Sequence, residues 1–284
     1  MSLSILTNIS AMNTQQNLLN SSDAVSKSMA RLSSGLRINT AADDAAGYAI
    51  SQGLTSQVNG LNQASSNTND AISMVQTASS SLNDVQNMLQ RVYELGVQYN
   101  NGSNSSTDKS DIQAEVNQLT QEIDRQQSSS NFNGLNLLNG TAGSSGTVTF
   151  QVGANGGDTL TATFSNVEGS SGLGGLGFNW GNAATGGTVI DLSSASALTS
   201  LTSAINNISS MAATLGAVQN RLQYTSDSIS STEQNLSASN SQIKDVNMAQ
   251  EMTNMTQEQI LEQAGTSMLA QANSQPQLIL KLLG

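Results

Sequence analysis

Catalysis at neutral pH generally asks for a nucleophile, a base or a bound metal, and this chain offers little of each. It has no Cys and no His among its 284 residues. That removes thiolate chemistry, disulfides and Zn–thiolate sites, together with the commonest general base and metal ligand. Carboxylates remain. Asp43 and Asp44 are adjacent, so on a helix they point about 100° apart and make no facing dyad. Asp108, Asp111 and Glu115 could share one helix face, where a solvated acidic stripe accounts for them better than a metal site. The run Gly172-Leu173-Gly174-Gly175-Leu176-Gly177 has no GK[ST] after it and reads as a loop, not a phosphate cradle. No catalytic residue, metal ligand or cofactor is assigned, and the chain is not expected to be an enzyme.

Composition narrows the remaining classes. Nine basic residues against 20 acidic ones give a formal charge of −11. Nucleic-acid binders draw most of their affinity from Lys and Arg on phosphates, so no nucleic-acid partner is expected. Only 37% of residues are apolar and 3% aromatic, too few for a thick core but enough for narrow helical seams. The longest greasy run is Leu278-Ile279-Leu280, resumed after Lys281 by Leu282-Leu283. A membrane span needs roughly 18 consecutive apolar residues, so no membrane partner is expected. The first basic residue is Lys27, and no apolar segment of secretory-leader length comes before it.

The elements that could use such seams follow from spacing. Glycine divides the chain in three: 15 of 24 Gly fall between Gly134 and Gly187. On the C-terminal side Leu201, Ile208, Leu215, Leu222, Ile229, Leu236 and Ile243 stand seven residues apart without a gap. This predicts one long helix with a single apolar seam. On the N-terminal side Leu54, Leu61, Thr68, Val75, Leu82 and Leu89 keep the same period. Turn residues Asn100 to Asn104 end that helix, and Ile112, Val116, Leu119 and Ile123 mark a shorter one. In the centre, residues 147–152 and 159–164 alternate as two strands of a β-hairpin. Residues 188–192 read as a third short strand, and Gly169 to Gly187 as irregular loop. At the extreme ends, Ile5, Ile9, Met12 and Leu19 form one weak amphipathic stripe; Met248, Met252, Met255, Leu261, Met268 and Leu269 form another. Neither can bury its stripe alone, so each needs the other or another chain.

Between the first end segment and the long helix lies the densest motif. Residues 31–51 read RLSSGLRINTAADDAAGYAIS. Gly35 suits a helix stop, and Asn39 or Thr40 suits the cap of a new start. Arg31, Arg37, Asp43 and Asp44 are available to brace the bend. This stretch resembles the N-terminal signature of bacterial flagellins. Leu89 to Gln98, Ile112 to Arg125, Asn131-Phe132-Asn133-Gly134 and Ile260 to Asn273 follow in family order, so the likeness covers roughly residues 1–140 and 190–284.

The resemblance implies a mainly α fold: a long antiparallel helical bundle or coiled coil with a small central β-hairpin region. It implies an inner-tube coiled-coil domain from residues 1–43 and 245–284. A rod domain over 44–244 would carry the hairpin and a Gly-rich insert at about 140–190, with no large outer domain. The implied function is an exported subunit that polymerises into the extracellular flagellar filament for motility. Assembly residues would be Ile5, Ile9, Met12, Leu19, Leu261, Met268, Leu269, Leu280 and Leu283. Implied partners are further copies of the chain, the flagellar cap and hook-junction proteins, and an export chaperone on the C-terminal segment. A host toll-like receptor would contact Arg91, Leu95 and Glu115. Two other readings share part of the pattern. A hook–filament junction protein has similar ends. A cytoplasmic coiled-coil signalling rod has the heptads, but it explains neither the hairpin nor the Asp43-Asp44 block.

Overall fold

The computed structural model describes residues 7–167, 190–194 and 196–283, the side chains as far as Ser274. Its elements in order are α1 (Ile9–Ser34), α2 (Ala45–Tyr99), α3 (Ser106–Ser129), β1 (Asn131–Phe132), β2 (Leu135–Asn136), β3 (Thr147–Gln151), β4 (Thr159–Thr163), α4 (Ala197–Lys244) and α5 (Met248–Leu283). The chain is therefore mainly α, as its heptads require. At 1.5 Å per residue, α2 is roughly 80 Å long and α4 roughly 70 Å. Residue contacts divide the chain into a terminal unit, residues 1–57 with 234–284, and a central unit, residues 58–233. The expected division at 43 and 245 lies about two heptads nearer the N-terminus and about one and a half nearer the C-terminus than this. Asn240 on α4 donates to the Thr55 hydroxyl on α2 at 3.2 Å, so the first turns of α2 and the last of α4 belong with the terminal helices.

In the central unit the buried face of α2 is centred on positions 61, 64, 68, 71, 75, 78, 82, 85, 89 and 92, alternating steps of three and four, with 74, 81, 95 and 96 buried beside them. From Ala71 onward they meet Ile112, Val116 and Ile123 of α3 and Leu201, Ala204, Ile208, Leu215, Val218 and Leu222 of α4 in one apolar cluster. Both partners run antiparallel to α2. Arg91 reaches Glu115 and Gln126 reaches Asp84 on one side, and Gln86 reaches Ser209 on the other. The sevenfold series on α4 is buried from Leu201 to Ile229 and half-buried at Leu236 and Ile243 in the terminal unit. α3 opens on a reciprocal cap: Asp108 N–H donates to the Ser105 hydroxyl and Ser105 N–H to the Asp108 carboxylate.

The expected hairpin is present as β3 and β4, paired antiparallel from Thr147–Thr163 to Gln151–Thr159. Leu160, Ala162 and Phe164 close the end of the core. A second, very short pair, β1 with β2, turns through Asn133 and Gly134 at φ 49° and 80°. Its Asn-Gly dipeptide is a hairpin signal that the sequence reading took only as a family motif. No strand forms at Ile190–Leu192; Thr188, Val189 and the loop Gly169–Gly187 lie outside the described residues. Instead the Gln113 amide serves the exposed backbone as a strand would. Its Nε2 donates to Ile190 O at 2.7 Å, and its Oε1 accepts from Leu192 N at 3.2 Å.

Candidate interaction surface of the terminal helices

In the terminal unit α1 and α5 pack antiparallel along their length. Asn8 Nδ2 donates to Ala272 O at 2.8 Å, Gly265 lies against Leu18, and Arg31 pairs with Glu251 at 3.7 Å. The shielded positions are Ala11, Thr14, Leu18, Ser21, Val25, Ser28 and Leu32 on α1. On α5 they are Glu251, Met255, Glu258, Glu262, Gly265, Leu269 and Ala272. Each series alternates steps of three and four, the spacing of a coiled-coil seam. Its contents are unusual, because small and polar residues fill most of it and three glutamates face α1. Small side chains let the two backbones come close, yet they bury little apolar area.

Leu18, Val25, Leu32, Met255 and Leu269 are the large apolar side chains of the seam, and more of them point elsewhere. Ile9, Met12, Leu19 and Met29 on α1 are exposed, as are Met248, Met252, Ile260, Leu261 and Met268 on α5. Leu19 is 54% and Met268 62% exposed. Of the residues expected to drive assembly, only Leu269 faces the partner helix. Ile5, and the side chains of Leu280 and Leu283, lie outside the described residues. Of the two stripes read from the sequence, Met255 and Leu269 lie in the seam, while Ile9, Met12, Leu19, Met248, Met252, Leu261 and Met268 are exposed in a single chain. What the sequence reading missed is the polar seam itself, which was visible only as a 3-4 spacing of Ala, Thr, Ser and Glu. A groove beside this seam is lined by Leu18, Ala24, Glu258, Leu261, Gly265 and Met268.

The bend that feeds these helices is built from backbone hydrogen bonds and caps. Gly35 ends α1 in the left-handed region at φ 72°, its N–H on Arg31 O. The connection then pairs with the end of α4: Arg37 N–H donates to Lys244 O at 2.7 Å and Val246 N–H to Gly35 O at 3.0 Å. The Arg37 guanidinium takes Ile243 O at 2.6 Å. Carbonyls left unpaired at a helix end are thereby satisfied. α2 does not start at Asn39 or Thr40, as expected, but at Ala45. Asp43 is why: its carboxylate collects Asn39 N–H, Thr40 N–H and the Thr40 hydroxyl, folding those residues into a turn. Asp44 then caps the helix, accepting from Gly47 N–H at 2.9 Å. The Thr40 backbone and hydroxyl hold the Asp43 carboxyl below its ordinary range. The two aspartates thus work on separate turns, and neither pairs with Arg31 or Arg37. Ile38 is sealed beneath them, 1% exposed.

The three residues assigned to receptor contact separate. Arg91 and Glu115 are exposed and joined at 2.9 Å, with Glu94 on the same guanidinium at 3.3 Å. The Glu115 carboxylate, and then Glu94, raise the Arg91 pKa further. Leu95 is 2% exposed and part of the central core. It stands three residues after buried Val92 and shares that inward face, so its side chain is covered. Among the described residues no group of His, Cys, Asp or Glu could hold a metal ion.

Comparison with known proteins agrees with these features. Residues 5–143 match the model of the bacterial flagellin N-terminal helical region and residues 198–283 that of the C-terminal helical region. The chain is 40% identical over 276 residues to a flagellin of Halalkalibacterium halodurans, covering 97% of this chain and 98% of that one. It is 44% identical over 284 residues to the flagellar filament 33 kDa core protein of Treponema phagedenis, with the same coverage. A solved flagellar hook-associated protein of Vibrio parahaemolyticus, described as putative in its title, superposes with a TM-score of 0.51. It covers 72% of this chain and 100% of that one at 14% identity, a likeness of fold alone.

Proposed function

The chain belongs to the bacterial flagellin family, a structural subunit of the flagellar filament and not an enzyme, and from that premise we propose that the outward apolar side chains of α1 and α5 polymerise it. Flagellins self-polymerise, and their filament is extracellular. Among the described residues no helix is long and apolar enough to cross a membrane. Neither a junction protein nor a cytoplasmic signalling rod gains support over this reading.

The supporting observation is the inversion of the terminal pair: a polar seam inside, Ile9, Met12, Leu19, Leu261 and Met268 outside. Fully burying such a side chain contributes about 1.5–3 kcal/mol. A single chain leaves that stabilisation unused, and a neighbouring copy supplies it. Folding of the terminal unit is therefore completed by assembly. The test is Leu19→Ser combined with Met268→Ser, grown on filament seeds and viewed by electron microscopy. Monomer helicity stays unchanged, because both side chains are exposed, and filaments fail to grow. Normal filaments would overturn the assignment. Deleting residues 278–284 examines Leu280 and Leu283 in the same way.

The finer partners belong to the same proposal. Cap and hook-junction proteins take the terminal surface at the filament's two ends, and an export chaperone covers α5 beforehand. A single Pro and no Cys suit export as an unfolded chain with few slow steps. A toll-like receptor would meet the Arg91–Glu115 pair on the monomer, without Leu95. Receptor binding that survives Arg91→Ala with Glu115→Ala removes that partner.

A further inference from the structure

Every methionine that stands exposed among the described residues lies in the terminal unit. These are Met12 and Met29 on α1 and Met248, Met252 and Met268 on α5, each between 48% and 62% exposed. In the central unit Met74 is buried, and Met88 and Met211 are half-buried against the core. Met255 is half-buried in the α1–α5 seam. With no Cys in the chain, no thiol competes for peroxide, and among the described residues these five are the exposed thioethers.

We propose that Met12, Met29, Met248, Met252 and Met268 form an oxidation-sensitive modification site, where conversion to the sulfoxide blocks polymerisation and leaves the central unit folded. This rests on the reading of the terminal helices as the polymerising surface.

In the reaction a sulfur lone pair attacks one oxygen of hydrogen peroxide. The S–O bond forms as the O–O bond breaks. Sulfur is oxidised by two electrons, and the departing hydroxide takes a proton to leave as water. A flexible apolar side chain becomes a polar, chiral one. On the free chain the new S=O group stays in water at little cost, because these five side chains are already exposed. Against a second copy the same group must be desolvated, and burial of a polar group without a partner is unfavourable. The lesion therefore acts on assembly and spares the fold. The polymer, once formed, covers the five sulfurs and protects them.

The experiment treats the full-length monomer with hydrogen peroxide, maps added oxygen by peptide mass spectrometry, and follows seeded growth by light scattering and electron microscopy. Oxygen is expected first on the five exposed methionines and last on Met74. The thermal transition of the central unit stays in place, and filament growth is lost. Treatment with a thiol-dependent methionine sulfoxide reductase restores growth without any mutation. Assembled filaments given the same dose keep the five sulfurs reduced. The proposal is overturned if the oxidised chain grows as fast as the untreated one. It is equally overturned if growth stays lost after the sulfoxides are reduced, or if the central unit unfolds at the same dose. Failure of the untreated chain to polymerise would be a different result: it would remove the assembly reading, and this site with it.

Discussion

Glu251 Oε1 lies 3.7 Å from Arg31 Nη1, so the first turn of α5 is tied to the last turn of α1. The Glu251 side chain is 9% exposed, and its Oε1 accepts no hydrogen bond. The Arg31 charge is what compensates it. Arg31→Ala should weaken the α1–α5 pairing by about 1–3 kcal/mol, because a buried carboxylate is left without its counter-charge. Adding Glu251→Gln should recover most of the loss. Hydrogen exchange across α1 and α5 reads both variants, and no recovery in the double variant would show that the two residues are uncoupled.

Two glycines in α2 should respond oppositely to the same change. Around Gly53 nothing lies within 4 Å of an added Cβ. Gly53→Ala should therefore raise stability by about 0.5–1 kcal/mol through helix propensity. At Gly47 the added carbon would strike the Asp44 carboxylate and stand 2.7 Å from Ile38 Cδ1. Gly47→Ala should cost about 1–3 kcal/mol, overpacking the bend beyond any propensity gain. Thermal melts of the two variants, shifted in opposite directions, are the expected result.

On α4 burial sets the scale. Leu222 is fully buried, and Leu222→Ala should destabilise the central unit by about 2–5 kcal/mol. Tyr224, two residues on, is 76% exposed, and Tyr224→Ala should stay within about 0.5 kcal/mol. Denaturant midpoints separate the two.

Acid should loosen the bend through Asp43. Its pKa in the folded chain is lowered below 3.8, first by the Thr40 N–H, then by the Thr40 hydroxyl, with smaller help from Asn39 N–H and the Arg31 charge. A lowered folded-state pKa gives stability that is present above the unfolded value and lost as pH falls through the folded one. At neutral pH Asp43→Asn should therefore speed amide exchange at Asn39 and Thr40. The difference from the unsubstituted chain should vanish in strong acid, where both side chains are neutral.

How much of this was legible in the sequence depends on what the seams are made of. From Leu201 to Ile229 the seam is Leu and Ile every seven residues, and hydrophobicity alone located it. Gly35 announced the end of α1 because an αL cap favours that residue. The α1–α5 seam was hidden, since Ala, Thr, Ser, Gly and Glu carry no apolar signal at the same spacing. Apart from Met255 and Leu269, the apolar residues that did stand out face solvent in a single chain. Leu95 was misplaced for a related reason: a motif gives order along the chain, while facing depends on which turn of α2 meets the core. The start of α2 was set five residues early because Asn39 and Thr40 are good caps, and only the folded turn shows Asp43 claiming their N–H groups.

The Gln113 amide has a consequence for how much this chain can carry. It holds the backbone at Ile190 and Leu192, where the chain rejoins the core after residue 189. At the departing end, Val167 N–H is fixed on Leu138 O at 2.9 Å. Both anchorages come from residues outside the intervening segment. A change of length or sequence between residues 168 and 189 therefore leaves both anchorages in place, since neither hydrogen bond draws on a residue of that segment.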